Sequence, residues 1–286
     1  GHIINDEQDS RLLLDTLGKV IRGIVGCGDV GVETQILEQV PAGKANEVFG
    51  VGTDRIDLNY TAAHDIQVSI TSDILTDDVA DLAMTLTLAF SRNLVANHQF
   101  ARAGAWETTG ASLSSKASGK RMGIAGLGAI GLAIARRAEA FGMEIAYTAR
   151  SQKNVPYQRC ENIEQLAAFS DFLVLALPGS PENIHLVDAK VLAALGKSGV
   201  LINIARGTVV NENDLIQALQ QGVIKGAALD VFPQEPVIHP ALRELDNVLL
   251  TPHIASATHE TREGMANNVL ENLLAYFSNG KMLTAV

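Results

Sequence analysis

The chain of 286 residues has only 2 cysteines and no long run of uncharged residues. Its 2 cysteines, Cys27 and Cys160, are too few for a disulfide framework and lack the paired spacing of a metal site. No signal pattern opens the sequence, and its longest stretch without Asp, Glu, Lys or Arg, residues 122–135, is shorter than the roughly 18 residues of a membrane span. We therefore expect a protein of a reducing, cytoplasmic compartment, without a metal and without contact to a membrane.

Positive charge is also scarce, since 22 Lys and Arg stand against 32 Asp and Glu and give a net charge of −10. Such a protein repels the phosphates of nucleic acids, so no nucleic-acid partner is expected. Any anionic ligand must be held by backbone N–H groups or by individual arginines. Hydrophobic residues make up 47% of the chain and only 8 residues are Pro, which indicates a globular protein, and the length suits two domains.

Short apolar runs alternate with helical periods, a pattern typical of βαβ units and parallel sheets. One αβ series occupies the first 70 residues, with strands near 20–25, 47–51 and 66–70. A longer series of about six strands starts at Lys120 and contains strands at 122–126, 144–150, 171–178, 199–205, 225–232 and 247–251, and helices at 129–141, 163–169, 183–195 and 211–221. Helices near 76–91 and 258–277 would link the two series. We predict a two-lobed α/β protein with a cleft, its doubly wound sheet in 74–257 and a smaller lobe in 1–73 and 258–286.

Two stretches match the pattern G-x-G-x-x-G, at 26–31 and at 126–131. Only the second follows an apolar strand, opens a predicted helix and continues into another strand, which is the context of a dinucleotide site. We therefore assign cofactor binding to the second motif and interpret the first as a tight turn. The assigned residues are Gly126, Leu127, Gly128, Ala129, Ile130 and Gly131. Gly126 would allow the turn, Gly128 the approach of the pyrophosphate, and Gly131 close packing of helix on strand.

Arg150 and Ser151 end the strand that follows this motif, where an NAD site normally carries an acid for the ribose 2′-OH. A guanidinium suits a 2′-phosphate instead. We predict a preference for NADP(H), with NAD(H) possible. The alternative is an ordinary solvated arginine at a strand end.

Three polar residues, Arg206, Glu235 and His253, follow successive late strands. Because ligands bind outside the carboxyl ends of parallel strands, all three should face one crevice. An arginine can hold a carboxylate and polarise a carbonyl, a histidine can transfer the proton, and a carboxylate can orient the imidazole. Taken singly, they could be a surface charge, a turn residue and a buried histidine.

Six stretches in this order resemble the D-isomer-specific 2-hydroxyacid dehydrogenase family. They are Phe49–Asp54, Thr76–Asp81, Gly123–Gly131, Asn203–Gly207, Ala228–Phe232 with Glu235-Pro236, and Thr251–Ile254. The resemblance implies a Rossmann-type nucleotide domain and a flavodoxin-like substrate lobe. It also implies that Arg206 binds substrate, that Glu235 is the partner of His253, and that His253 donates the proton. Further residues implied are Val51 and Gly52 for the substrate carboxylate, Asp230 for the nicotinamide amide, and Leu177, Pro178, Ile204 and Ala205 along the cofactor.

The resemblance further implies the reduction of a small 2-keto acid, of glyoxylate or hydroxypyruvate type, to the D-2-hydroxy acid. A hydroxyphenylpyruvate reductase and a nucleotide-sensing, corepressor-like binding protein are the alternatives. The segment around Trp106 crosses a dimer interface in similar enzymes, so a homodimer is implied, although a core tryptophan is the other interpretation. Family members carry a further strand and helix before the equivalent of Val20, so the smaller lobe is expected to expose a sheet edge.

Overall fold

The computed structural model describes residues 7–28 and 30–286, with side chains from residue 11 onward. The chain divides into two compact units. The first consists of Gly1–Leu75 with Thr258–Val286, and the second of Thr76–Ala257. Sequence analysis set the first of these boundaries between residues 73 and 74.

Helices and strands alternate along most of the described chain. In chain order they are α1 (Glu7–Leu17), β1 (Gly23–Cys27), α2 (Thr34–Glu38), β2 (Ala45–Phe49), α3 (Leu58–Ala63), β3 (Gln67–Ile70), α4 (Thr76–Ser91), α5 (Leu94–Arg102), β4 (Arg121–Ala125), α6 (Ala129–Ala140), β5 (Glu144–Thr148), β6 (Gln158–Arg159), α7 (Ile163–Phe169), β7 (Phe172–Leu175), α8 (Ala189–Leu195), β8 (Val200–Asn203), α9 (Glu212–Gln220), β9 (Gly226–Leu229), α10 (Pro240–Arg243), β10 (Val248–Leu250) and α11 (His259–Asn279). Short 3-10 helices lie at Gly18–Val20, Ala105–Glu107, Pro181–Asn183 and Gly207–Val209.

The first unit is built on a three-stranded parallel sheet of order β1-β2-β3. Helix α11 packs on the central strand β2. The last residues of the chain return to this sheet, because the N–H of Val286 donates to the carbonyl of Val68 at 2.9 Å. Strand β1 forms one edge of the sheet, and Val25 on it is 49% exposed.

The second unit is built on a seven-stranded parallel sheet of order β10-β9-β8-β7-β4-β5-β6. The strand order reverses between β4 and β7, which is the switch point of a doubly wound, Rossmann-type sheet. Every residue of β7, β8 and β9 is buried. This agrees with their nearly continuous apolar runs, which are typical of strands covered on both faces. The predicted fold class is therefore confirmed.

The helix predicted over 183–195 is wrong in its first half. Helix α8 begins only at Ala189, because the carboxylate of Asp188 caps it by accepting the N–H groups of Lys190 and Val191 at 2.9 and 3.1 Å. The preceding Val187 instead forms a parallel bridge with Val210. Val187 thus pairs with a residue outside the named strands and does not belong to the helix.

Several short elements carry no signal in the sequence analysis. The strand β6 has two exposed residues and no apolar alternation, and α1, α2, α3 and α5 were also missed. The strands predicted at 144–150, 171–178, 199–205 and 225–232 end two to three residues early, since the chain leaves the ladder there to form the loops that follow the strands.

Among the described residues, no single helix is long and apolar enough to cross a membrane. Helices α4 and α5 meet that criterion only as a pair, which is bent by 60° at the break between them.

Candidate active site

The glycine motif after β4 forms an open turn at the start of α6. Gly126 has φ +93°, and a Cβ on it would lie 2.5 Å from the carbonyl oxygen of Ala176. A Cβ on Gly131 would lie 2.0 Å from the carbonyl oxygen of Gly126, so only glycine permits this packing of helix on turn. Among the described residues, nothing lies within 4 Å of a Cβ built on Gly128.

The start of α6 therefore has both the space and the donors for a phosphate. Gly128 is the N-cap of this helix and makes no side-chain capping bond. The N–H groups of the first turn are therefore not capped by this residue. Such N–H groups at a helix N-terminus bind pyrophosphate. The residues present thus fit a dinucleotide.

The earlier glycine motif forms the predicted tight turn. The N–H of Gly31, at φ +72°, donates to the carbonyl of Cys27 at 2.7 Å directly after β1. Helix α2 begins only at Thr34 and has 5 residues, so this motif does not open a helix as the later one does.

The other predicted cofactor residues follow the carboxyl ends of neighbouring strands. The side chain of Leu177, after β7, would lie 3.0 Å from a Cβ on Gly126, so it borders the glycine turn, and Pro178 follows it. Ile204 and Ala205, after β8, are both buried. Their contacts with a cofactor stay a prediction.

Arg150 and Ser151 are exposed, just beyond the end of β5. The pKa of the exposed Glu182 lies below its ordinary value, through its own backbone N–H, the Ser180 hydroxyl and, to a smaller extent, the charge of Arg150. The charge of Arg150 therefore acts on Glu182, which lies in the loop after β7.

The centre of the site is a hydrogen-bonded pair of His253 and Glu235. The Nδ1 of His253 lies 2.6 Å from Oε2 of Glu235, and Oε1 of Glu235 accepts the N–H of Phe232 at 2.9 Å. The hydrogen bond to Glu235 raises the pKa of His253 above its ordinary value, although burial acts in the opposite direction. Burial acts to raise the pKa of Glu235, but the bonds from His253 and Phe232 lower it overall. The pair thus favours an imidazolium beside a carboxylate.

Arg206 lies near this pair. Its positive charge contributes to lowering the pKa of Glu235 and also opposes the rise in the pKa of His253. In the structure, the three predicted catalytic residues therefore interact electrostatically, although 47 positions separate Arg206 from His253 in the sequence.

Two residues that the sequence analysis gave no role hold Arg206 in place. The buried Asn203 donates from Nδ2 to the carbonyl of Arg206 at 3.0 Å and accepts the N–H of Ala205 at 3.0 Å. A Cβ on Gly207 would lie 2.0 Å from the carbonyl carbon of Phe232, so the loops after β8 and β9 pack backbone on backbone. A polar residue inside an apolar strand was the available signal for Asn203.

Asp230 positions the loop that carries His253. Its carboxylate is completely buried and accepts bonds from the Thr251 hydroxyl at 2.7 Å and from the N–H groups of Ile254 and Ala255 at 2.9 and 3.0 Å. The N–H of His253 donates to the backbone carbonyl of Asp230 at 2.9 Å, and His253 has φ +51°. This left-handed conformation is unusual for a residue with a Cβ and is held by the surrounding bonds. The predicted contact of Asp230 with the nicotinamide amide stays a prediction.

Val51 and Gly52 belong to the first unit, where they follow the carboxyl end of β2. The neighbouring carbonyl of Gly50 accepts the N–H of Thr71 at 2.9 Å, which ties this turn to the end of β3. The role of Val51 and Gly52 toward a substrate carboxylate stays a prediction.

Replacing Glu235 by glutamine is expected to shift the pH dependence of reduction to lower pH. We expect His253 to donate the proton in reduction, and an enzyme with that donor loses activity as the pH rises through the pKa of His253. Without the carboxylate, that pKa falls, and the alkaline decline should begin at lower pH. The measurement is kcat/KM against pH, which reports the free enzyme. Glu244→Gln, on an exposed residue, is the matched control, and an unchanged alkaline decline in Glu235→Gln would contradict the assignment.

A Rossmann-type sheet with an open glycine turn and an imidazole–carboxylate pair beyond its strand ends defines a nucleotide-dependent oxidoreductase. Comparison with known proteins gives the particular family. Residues 84–255 match the family described as D-isomer specific 2-hydroxyacid dehydrogenase, NAD binding domain. This chain belongs to that family of dehydrogenases and reductases.

Relatives with assigned activities match along most of the chain. A 2-ketogluconate reductase of Gluconobacter oxydans is 46% identical over 276 residues, covering 96% of this chain and 88% of the relative. A hydroxyphenylpyruvate reductase of Plectranthus scutellarioides is 45% identical, covering 93% and 85%. The crystal structure of an NADPH-dependent glyoxylate/hydroxypyruvate reductase of Sinorhizobium meliloti with NADP and malonate matches with a TM-score of 0.91 and 41% identity, covering 95% and 85%.

Proposed function

We propose that this enzyme reduces a small 2-keto acid of glyoxylate or hydroxypyruvate type to the D-2-hydroxy acid, with NADPH as the preferred reductant. The observation that carries the proposal is the 2.6 Å bond between Nδ1 of His253 and Oε2 of Glu235. It leaves Nε2 of the imidazolium as the proton donor and keeps the ring protonated to higher pH than an isolated imidazole.

In the proposed reaction, the bound reduced nicotinamide supplies the hydride for the carbonyl carbon. His253 donates its Nε2 proton to the carbonyl oxygen, and Glu235 stabilises the imidazolium and fixes its orientation. Arg206 binds the substrate carboxylate and polarises the carbonyl. The family resemblance implies that the backbone of Val51 and Gly52 also binds substrate.

The direct test is the consumption of NADPH by the purified enzyme with four substrates: glyoxylate, hydroxypyruvate, 2-ketogluconate and hydroxyphenylpyruvate. We expect the highest kcat/KM with one of the first two and a D-configured product from hydroxypyruvate. A higher value for either of the larger acids, which the two curated relatives reduce by name, would contradict the substrate class. Binding of NADPH without turnover of any of the four would favour the nucleotide-sensing alternative.

Replacing Arg150 by aspartate is expected to change the cofactor preference. The proposed bond between its guanidinium and a 2′-phosphate would become a repulsion, whereas an aspartate can bind the ribose 2′-OH of NADH. We expect the ratio of kcat/KM for NADPH to that for NADH to fall about 10- to 100-fold. Arg243→Asp, which makes the same charge change at an exposed site on α10, should leave the ratio unchanged. An unchanged ratio in Arg150→Asp would place the discrimination elsewhere.

We also propose that the enzyme is a homodimer that pairs through α5 and the segment after it. No residue of α5 is buried, and Leu94, Trp106 and Leu113 are 58%, 73% and 98% exposed. A run of exposed apolar side chains of this kind is typical of an interface. Sedimentation equilibrium should give a dimer for the wild type and a monomer for Trp106→Ser with Leu113→Ser. Val237→Ser, at another exposed apolar site, is the control, and a monomeric wild type would contradict the proposal.

The proposed compartment is the cytoplasm. It is supported by the two cysteines, since Cys160 is buried, no disulfide joins it to Cys27, and burial raises the pKa of its thiol.

A further inference from the structure

We infer that the second unit has an additional binding site, for a small phosphorylated molecule, at the amino ends of its strands. A cavity of about 420 Å³ lies there. Its lining includes four lysines, Lys116, Lys120, Lys197 and Lys225, together with Asp171 and Ser115. Arg206, Glu235, His253 and the glycine turn follow the carboxyl ends of the strands, so this cavity lies at the opposite edge of the sheet.

The cavity collects positive charge in an acidic protein. It contains four of the nine lysines of the chain, which carries a net charge of −10. Lys120 directly precedes β4, Lys197 lies three residues before β8, and Lys225 directly precedes β9. Because β9, β8, β7 and β4 are consecutive in the sheet, these separate positions converge on one place. A local field of this kind attracts anions although the whole protein repels them.

The single acid of the lining, Asp171, offsets only part of the charge of these four lysines. Asp171 is paired with Arg121, whose Nη2 and Nε donate to its two carboxylate oxygens at 3.1 and 3.3 Å and whose backbone N–H donates at 3.0 Å. Burial acts to raise the pKa of Asp171, but the bonds and charge of Arg121 and, to a smaller extent, the charge of Lys120 lower it overall, so the acid is ionised and hydrogen-bonded to Arg121. Among the side chains that the structure describes, those of residues 11–28 and 30–286, no acid lies within 4.0 Å of the ammonium group of any of the four lysines.

The remaining lining suits a phosphate on a small organic body. Lys225 donates from Nζ to the hydroxyl of Ser115, so an ammonium and a hydroxyl are already oriented together. Ammonium groups and hydroxyls are common ligands of phosphate oxygens. Phe172 and Val200 are buried and give the cavity an apolar floor, and its volume lies in the range of ligand pockets. We assign the site to a molecule of the size of a sugar phosphate.

A purely structural role for these lysines makes a different prediction. Helices α4, α7 and α8 all end at this edge, and lysines stabilise the carbonyl groups of helix C-termini. Lysines with that role alone would contribute to the free energy of unfolding but would bind no added anion.

The test titrates inorganic tripolyphosphate into the enzyme saturated with its dinucleotide, at low ionic strength, by isothermal titration calorimetry. Saturation keeps the probe from the glycine turn. We expect one saturable site whose affinity decreases with added salt. Lys197→Gln with Lys225→Gln should weaken binding about tenfold, as two exposed charge contacts are lost. Lys190→Gln with Lys281→Gln removes the same charge at exposed positions outside the cavity and should bind as the wild type does.

Lys116→Gln with Lys120→Gln is a second pair, for the case that the first does not fold, and the same loss is expected. All four lysines are exposed, so the changes spare the core. The absence of saturable binding to the wild type would overturn the inference. So would equal affinities in the cavity and control pairs, and so would a lower melting temperature of the cavity pairs with unchanged binding. None of these results depends on the reductase activity, so they are separable from the proposed function.

Discussion

His253→Ala is expected to lower kcat for keto-acid reduction by about 10²- to 10⁴-fold, the usual contribution of a positioned general acid. The dissociation constant of NADPH should change little, because the proposed role of the imidazole is toward the substrate oxygen and its observed partner is Glu235. Steady-state kinetics and fluorescence titration with NADPH measure the two quantities separately. His259→Ala, at an exposed histidine on α11, is the control.

The two measurements in His253→Ala discriminate a proton donor from a structural histidine. His253 has φ +51° and lies in the loop that Asp230 clamps, so its loss could also disturb the loop. His253→Asn keeps a side chain that tolerates a left-handed backbone but cannot serve as the acid. An equally low kcat in this variant supports the proton donor, whereas near-wild-type kcat would contradict it.

Arg206→Gln is expected to lower kcat/KM for the keto acid by about 10²- to 10³-fold, because the proposed charge-assisted contact with the substrate carboxylate would lose one partner. Arg206→Lys should recover only part of this loss, since an ammonium cannot form the two parallel bonds of a guanidinium. Steady-state kinetics over a range of substrate concentrations measures both variants. Arg243→Gln is the control for the change in charge. An unchanged kcat/KM in Arg206→Gln would contradict the assignment of Arg206 as the substrate-binding residue.

Arg206→Gln should also change the pH profile, in the direction opposite to that expected for Glu235→Gln. The charge of Arg206 opposes protonation of His253, so its removal should raise the pKa of His253 and extend activity to higher pH. Glu235→Gln should move the alkaline decline the other way. Opposite shifts in the two variants would show that both residues act on one imidazole, and shifts in the same direction would contradict the geometry.

The parts of the fold that were predictable are those with a strong local signal. The helix at 76–91 and the helix at 163–169 have the predicted bounds, and the buried runs around 172–175 and 200–203 form strands. The glycine motif at 126–131 was separable from the one at 26–31 because its flanking strand and helix are visible in the sequence. In each case, the deciding interactions lie within a few residues along the chain.

The parts that were missed depend on partners far away in sequence. Val187 forms an isolated parallel bridge with Val210, so its apolar character was mistaken for part of the helix that begins at Ala189. The two exposed residues of β6 pair with β5 only because the sheet offers an edge there. Neither interaction leaves a periodic pattern in the neighbouring residues.

The same division holds for the site. The sequence alone determined which chemical groups are present and in what order: the open glycine turn, an arginine after one strand, a glutamate after the next and a histidine after the last. Only the tertiary structure decided that Nδ1 of His253 meets Oε2 of Glu235 and that the buried Asp230 holds the histidine loop in a left-handed turn. The physical reason is that the pKa shift of His253 and the burial of Asp230 depend on packing and hydrogen bonds between loops. These contacts form only when strands that are distant in sequence lie side by side.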